Sequence, residues 1–173
     1  EELGTENLDA LERGLPNLLK HIDNITNKFG LPAVVAINRF PTDTENELKL
    51  IEERCKSYGA NVALSEVWAK GGEGGIELAK EVVRLVEEGK GNLKFIYNDN
   101  DSIKEKINKI VKEVYGGSGV EYSTSANKEI SKLESLGFSN LPICMAKTQY
   151  SLTDDPKRTG RPENFKITVR NVK

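Results

Sequence analysis

Leu31-Pro32-Ala33-Val34-Val35-Ala36-Ile37 runs without a break into Asn38-Arg39-Phe40-Pro41-Thr42-Asp43. The first part is a continuous apolar run of strand length, the pattern of a parallel strand buried on both faces, and the second is a polar exit loop. Upstream, Leu15, Leu18, Leu19, Ile22, Ile25 and Phe29 share one helical face, and Gly30 supplies a left-handed stop. Pro16 has no N–H to donate and is welcome only in a first helical turn, so the pattern predicts a short helix to about Gly14 and a new one from Pro16. Downstream, Thr42 and Glu45 have capping-box spacing, and Leu48, Ile51, Cys55 and Tyr58 recur at helical intervals up to Gly59. This spacing makes Cys55 a small core residue.

The same order then recurs. Asn61 to Leu64 predicts a second strand, Ser65 to Gly75 its exit loop, and Ile76, Ala79, Val83 and Val86 the apolar side of the next helix. A short strand at Leu93 to Tyr97 and the turn-rich Asn98-Asp99-Asn100-Asp101 mark a boundary, giving an α/β portion over residues 1–98 and a smaller lobe over 99–173. In that lobe Ile103, Ile107, Ile110, Val111 and Val114 form one side of a helix that ends at Gly116-Gly117. A strand around Val120-Glu121-Tyr122 and a helix with Ile130, Leu133 and Leu136 follow. Leu141 to Ala146 reads as another strand, and Phe165 to Val172 alternates as a last one. Gly30 to Thr44 and Gly137 to Asp155 share the order glycine, Leu-Pro, apolar strand, which follows from one local rule, a stopped helix turning back into a strand, without a true repeat. The alternation implies α/β architecture with right-handed parallel crossovers, the tail forming a smaller α+β lobe.

Composition bounds the chemistry. The chain has 173 residues and a net charge of −2, which argues against a general nucleic-acid binder and against a polybasic membrane contact. It has no run of about 20 apolar residues, so a soluble, cytoplasmic protein is expected. Cys55 and Cys144 lack any C-x-x-C partner and His21 is the sole histidine, so no metal site and no histidine-based nucleophile is expected. The opening Glu1-Glu2, without methionine, reads as part of something longer.

In an open parallel sheet, ligands gather beyond the carboxyl ends of the strands. If the two predicted strands are parallel neighbours, Phe40 and Trp68 emerge at one edge and could face a flat ring; each is flanked by polar residues or glycine, unlike a core aromatic. Lys70-Gly71-Gly72-Glu73-Gly74-Gly75 precedes a helix and could offer amides to an anion, but it is neither G-x-x-x-x-G-K-[ST] nor G-x-G-x-x-G. Asn38 and Asp43 loosely match a base-reading Asn-Lys-x-Asp element, and Asp43 serves equally as part of a helix-starting turn. Lys147-Thr148-Gln149-Tyr150-Ser151 with Asp154-Asp155 is a third polar cluster, half of it explained by a capped turn at Asp155-Pro156.

Three strings, Val35 to Asp43, Leu64 to Gly75 and Cys144 to Ser151, closely resemble formate–tetrahydrofolate ligase, and the resemblance runs over essentially all 173 residues. Members of that family are longer, and the resemblance places this chain as an interior-to-C-terminal portion without the N-terminal ATP phosphate-binding loop. It implies a three-layer, P-loop NTPase-like portion of α/β fold. It also implies an ATP-dependent synthesis of 10-formyltetrahydrofolate through formyl phosphate, with tetrahydrofolate, formate and ATP with Mg2+ as reactants, a monovalent cation and a homotetramer. The aromatic positions matching Phe40 and Trp68 stack on the folate with Pro41 beside them. Leu64, Ser65, Ala69, Lys70, Gly71 and Gly72 would border that pocket or the nucleotide, and Asn38 and Arg39 would orient the pterin or the adenine. The alternatives are a non-catalytic assembly or binding module and a nucleotide-binding regulatory domain.

Overall fold

The computed structural model describes residues 4–146 and 150–173, so Lys147, Thr148 and Gln149 of the third polar cluster lie outside the described residues. The architecture is mixed α/β, and the chain divides into two compact units, Glu1–Leu93 and Lys94–Lys173.

The first unit runs α1 (Leu8–Asp23), a π-helical turn (Asn24–Lys28), β1 (Val34–Asn38), α2 (Glu45–Ser57), β2 (Asn61–Ser65), a single turn α3 (Val67–Lys70), a 3-10 turn (Gly71–Gly75) and α4 (Ile76–Glu88). β1 and β2 are parallel neighbours in the register Val34↔Asn61 to Asn38↔Ser65. α1 packs on α2, both α2 and α4 contact β2, and α4 reaches β1. Leu15, Ile22, Leu48, Cys55 and Ala63 are buried, and burial raises the Cys55 thiol pKa.

Several local expectations change here. α1 passes through Pro16 without a break. The carbonyl that Pro16 leaves unbonded belongs to Glu12, which is exposed, so water can satisfy it. The π-turn at Asn24–Lys28 adds a residue to the winding, and Ile25 falls off the apolar face and is exposed. The capping box belongs to Thr44 and Glu47, two positions later than the Thr42 and Glu45 pair. Thr42 is unavailable because residues 40–43 close a turn of their own, with Asp43 N–H donating to Phe40 O at 3.0 Å and Phe40 N–H to Asp43 Oδ2 at 2.7 Å. β1 is not buried on both faces: its residues are half-buried or, like Ala36, exposed, because its sheet has only β2 beside it among the described residues.

The second unit runs α5 (Ile103–Ile110), a π-turn (Val111–Tyr115), β3 (Gly119–Tyr122), α6 (Thr124–Ser135), a 3-10 turn (Phe138–Asn140) and β4 (Lys166–Val169). β3 and β4 are also parallel, in the register Gly119↔Lys166 to Tyr122↔Val169. Ile103, Ile107, Ala126, Ile130 and Val169 form one buried cluster, and Val111, Phe165 and Ile167 a second. Lys106 is fully buried, its ammonium donating to Ser139 O at 2.7 Å and Leu141 O at 3.1 Å, so the charge is satisfied by carbonyls released at the end of the 3-10 turn. Neither Leu93 to Tyr97 nor Leu141 to Ala146 joins a ladder. Ile143 N–H donates instead to Tyr97 Oη at 2.8 Å, and Met145 packs on the core sideways through its side chain, so these stretches are pinned by side chains rather than by strand pairing. The Asp155-Pro156 turn is capped as expected, Lys157 N–H donating to Asp155 Oδ1 at 3.0 Å.

Candidate functional site

Because β1 and β2 are parallel and in register, their exit loops leave the same edge side by side. Arg39 N–H donates to Ser65 O at 3.0 Å, carrying the ladder one residue past β1. Phe40 then leaves the sheet on the Asp43 turn, and Trp68 leaves it on α3. Their ring centroids stand 6.2 Å apart with planes tilted by 47°, a contacting aromatic pair. Both are open to solvent, Phe40 at 45% and Trp68 at 65% exposure. Pro41 is exposed beside Phe40, Asn38 is exposed at the end of β1 opposite the buried Ser65, and Leu64 is half-buried.

A network of charges ties the two loops. The Arg39 guanidinium reaches Glu45 Oε1 at 2.5 Å and Glu66 Oε1 at 3.7 Å, and Lys70 Nζ holds Glu66 Oε2 at 2.6 Å. The hydrogen bond from Lys70, with the nearby positive charges of Lys70 and Arg39, holds the Glu66 carboxyl below the usual carboxylate range. Arg39 and Lys70 are thus committed to neighbouring carboxylates, and the roles of Glu45 and Glu66 are the part that a reading of the loops by residue type passes over. Only the i, i+4 spacing of Glu66 and Lys70 signals it in the sequence.

The glycine run is shaped by packing. A Cβ on Gly74 would lie 2.4 Å from both the C and the O of Glu66, and Glu66 N–H donates to Gly74 O at 3.0 Å, so this glycine lets the turn fold flat onto the end of β2. Gly71 holds φ +59°, where a side chain is strained. Gly72 has open space around it, and Ala69 is exposed.

Elsewhere, His21 is exposed on α1, Cys144 is exposed, and Arg158 is engaged with Asp155 at 3.6 Å and Glu163 O at 3.1 Å. Among the described residues no cluster of three His, Cys, Asp or Glu side chains is placed to hold a metal ion. No helix among them is long and apolar enough to cross a membrane.

The edge therefore offers paired, solvent-facing rings on loops braced by ion pairs, beside a strand end with an amide and a hydroxyl. The long ordered strings that carry these residues, Asn38 to Asp43 and Leu64 to Gly75, belong to a pattern that extends along the whole chain. A family model described as formate–tetrahydrofolate ligase matches residues 1–173, and the chain belongs to that family.

Proposed function

We propose that this chain supplies the tetrahydrofolate ring site of an ATP-dependent formate–tetrahydrofolate ligase. The observation that carries the reading is the solvent-open Phe40 and Trp68 pair at a shared strand edge, 6.2 Å between centroids. A ring sandwiched between two faces needs roughly 7 Å between them in parallel, so the pterin lies against the outer face of the pair or slips between the rings after a small rotation of Phe40. Pro41 borders the stack. Leu64, Ser65, Ala69, Gly71 and Gly72 shape the rim, Asn38 offers an amide to a ring edge, and Arg39 and Lys70 hold the loops through Glu45 and Glu66.

The chemistry asks little of a nucleophile. ATP phosphorylates formate, the N10 amine of tetrahydrofolate attacks the formyl carbon, the C–O bond to phosphate breaks, and N10 gives up a proton. The products are 10-formyltetrahydrofolate, ADP and phosphate. What the protein supplies is alignment and charge stabilisation. The sequence has no G-x-x-x-x-G-K-[ST] loop, so phosphoryl transfer belongs to another part of the enzyme and the isolated chain does not turn over. In the same reading the first unit is part of a three-layer, P-loop NTPase-like core, the intact enzyme is a homotetramer acting in the cytoplasm, and Mg2+ accompanies ATP.

A second reading, an assembly module, is favoured by α4, whose Ile76, Val82, Val83 and Val86 are exposed. A nucleotide-binding regulatory domain is the third reading, resting on Asn38 and Asp43; Asp43 Oδ2 accepts from Phe40 N–H at 2.7 Å.

The test is a tetrahydrofolate titration followed by Trp68 fluorescence, with calorimetry for Trp68→Ala. Saturable quenching is expected, and Phe40→Ala or Trp68→Ala should each weaken binding about fivefold, the equivalent of about 1 kcal/mol. Unchanged affinity in both variants overturns the stacking site, and an association state that depends on Val83 but not on Phe40 would favour assembly.

A further inference from the structure

A parallel ladder bonds every second residue of a strand to a given neighbour. The register Asn38↔Ser65 and the bond from Arg39 N–H to Ser65 O at 3.0 Å identify Asn61, Ala63 and Ser65 as the residues of β2 turned toward β1. The N–H and C=O groups of Val62 and Leu64 consequently point the other way. Next in that outward series is Glu66, whose N–H is taken by Gly74 O at 3.0 Å, closing the edge at its C-terminal end. Before that point, Val62 and Leu64 border a cavity of about 450 Å³. Backbone polar groups along such an edge seek partners, and the usual guards are missing: Asn61-Val62-Ala63-Leu64-Ser65 contains no proline and no charge.

The cavity has a marked charge. Glu66, Glu73, Glu77 and Glu81 line it with Lys70, and of these carboxylates Glu66 is already tied to both Lys70 and Arg39. Glu77 is held by the exposed Lys80 at 2.7 Å, a single pair weak enough to be exchanged for an incoming cation, and Glu81 takes two bonds from the solvent-facing Arg84, at 2.6 and 2.9 Å, beside which a second cation can approach. They are four residues apart on α4, an axial rise of about 6 Å, which matches the spacing of roughly 6.6 Å between side chains on one face of a strand.

We propose that the outer edge of β2 is a strand-acceptor site for an extended segment of a partner protein carrying basic side chains at alternate positions. The segment would add to Val62 and Leu64 through main-chain hydrogen bonds and set its cations against Glu77 and Glu81. A second copy of β2 is a poor occupant, since it would bring the same carboxylates to the seam. The site uses neither Phe40 nor Trp68, although Leu64 also borders the proposed folate pocket through its side chain and Glu66 and Lys70 line both regions.

The test uses the full chain and acetyl-(Lys-Val)3-amide, read by hydrogen exchange and NMR shifts. The Val62 and Leu64 amides should gain about tenfold protection, and added salt should weaken binding. Glu77→Gln with Glu81→Gln should reduce affinity about fivefold without changing the circular dichroism of the free chain. Two further probes, N-methylated at every lysine or at every valine, separate strand addition from charge attraction: only the version blocked on the bonding side should lose binding. Equal binding of both methylated probes, binding by the matching Glu-Val peptide, no protection at Val62 and Leu64, or no effect of the double variant overturns the proposal.

Discussion

In the unit Lys94–Lys173, α5 buries Ile103 and Ile107 to 2% exposure, whereas in Glu1–Leu93 α4 buries none of its residues and leaves Val86 73% exposed. Both helices carry a clean apolar stripe. The difference lies in what surrounds them. α5 lies in a cluster closed by α6 and by Val169 of β4, and among the described residues no such cluster includes a residue of α4. An apolar stripe is a demand for a partner; α5 meets that demand within its own unit, as α1 does against α2, and α4 does not among the described residues. The first unit presents its apolar surface, its aromatic pair and an open strand edge outward, which suits a unit that binds.

The contrast can be broken by truncating the two stripes. Ile107→Ala should cost about 2–5 kcal/mol in urea denaturation, since it opens a cavity in a closed cluster. Val83→Ala should stay within about 0.5 kcal/mol. A large loss at Val83 would mean that α4 is covered in solution, and the contrast between the units would fall.

The glycines sharpen it next. Gly74→Ala drives a methyl group into the Glu66 backbone, which cannot move aside, and should cost about 3 kcal/mol, while Gly72→Ala, in open space, should stay within about 0.5 kcal/mol. In the second unit, a Cβ on Gly117 meets first the Val111 Cγ1 methyl at 2.8 Å. A side chain yields more than backbone does, so Gly117→Ala should cost about 1–2 kcal/mol.

Each unit also has one capping box, Thr44 with Glu47 and Ser102 with Glu105. Thr44→Ala and Ser102→Ala should each cost about 1 kcal/mol by thermal melting, and Thr42→Ala almost nothing. A loss at Thr42 equal to that at Thr44 would return the helix start to the earlier pair.

The smallest effect is one of pH. The Glu47 carboxyl is held below its ordinary value of 4.5, chiefly by the N–H groups of Asn7 and Thr44. A depressed carboxyl contributes stability above its unfolded pKa, and that contribution is lost as pH falls through the lower folded value. Glu47→Gln should therefore lower the melting temperature in the neutral region and leave the acid end nearly unchanged, so that the acid limb of the profile flattens. Glu105, lowered chiefly by Ser102 N–H, should behave alike but without the tie to Asn7 and so without the link to α1.

Much of this is legible in the sequence. The alternation of stopped helices and apolar runs pointed to α/β order, and β1, β2, β3 and β4 all fall within or beside the stretches that read as strands. At the strand edge, the polar flanks of Phe40 and Trp68 set them apart from core aromatics. What the loops did not disclose was the bracing of Arg39 and Lys70 by Glu45 and Glu66, because Glu45 lies six residues beyond Arg39 in another element and its carboxylate is indistinguishable in sequence from the other surface acids of α2.

The sequence by itself determined whatever depends on near neighbours along the chain: the helical and extended segments, their stops at glycine, and the ordered strings that carry the family. Tertiary structure decided what depends on company. Two threonine and glutamate pairs shared the capping spacing, and the Phe40 to Asp43 turn selected the later one. Leu31-Pro32 and Leu141-Pro142 open similar apolar runs, yet only the first gained a ladder, because β2 lies in register beside it while Ile143 is held by a tyrosine hydroxyl. Periodicity encodes which groups need partners, and only the packed chain determines which partners they get.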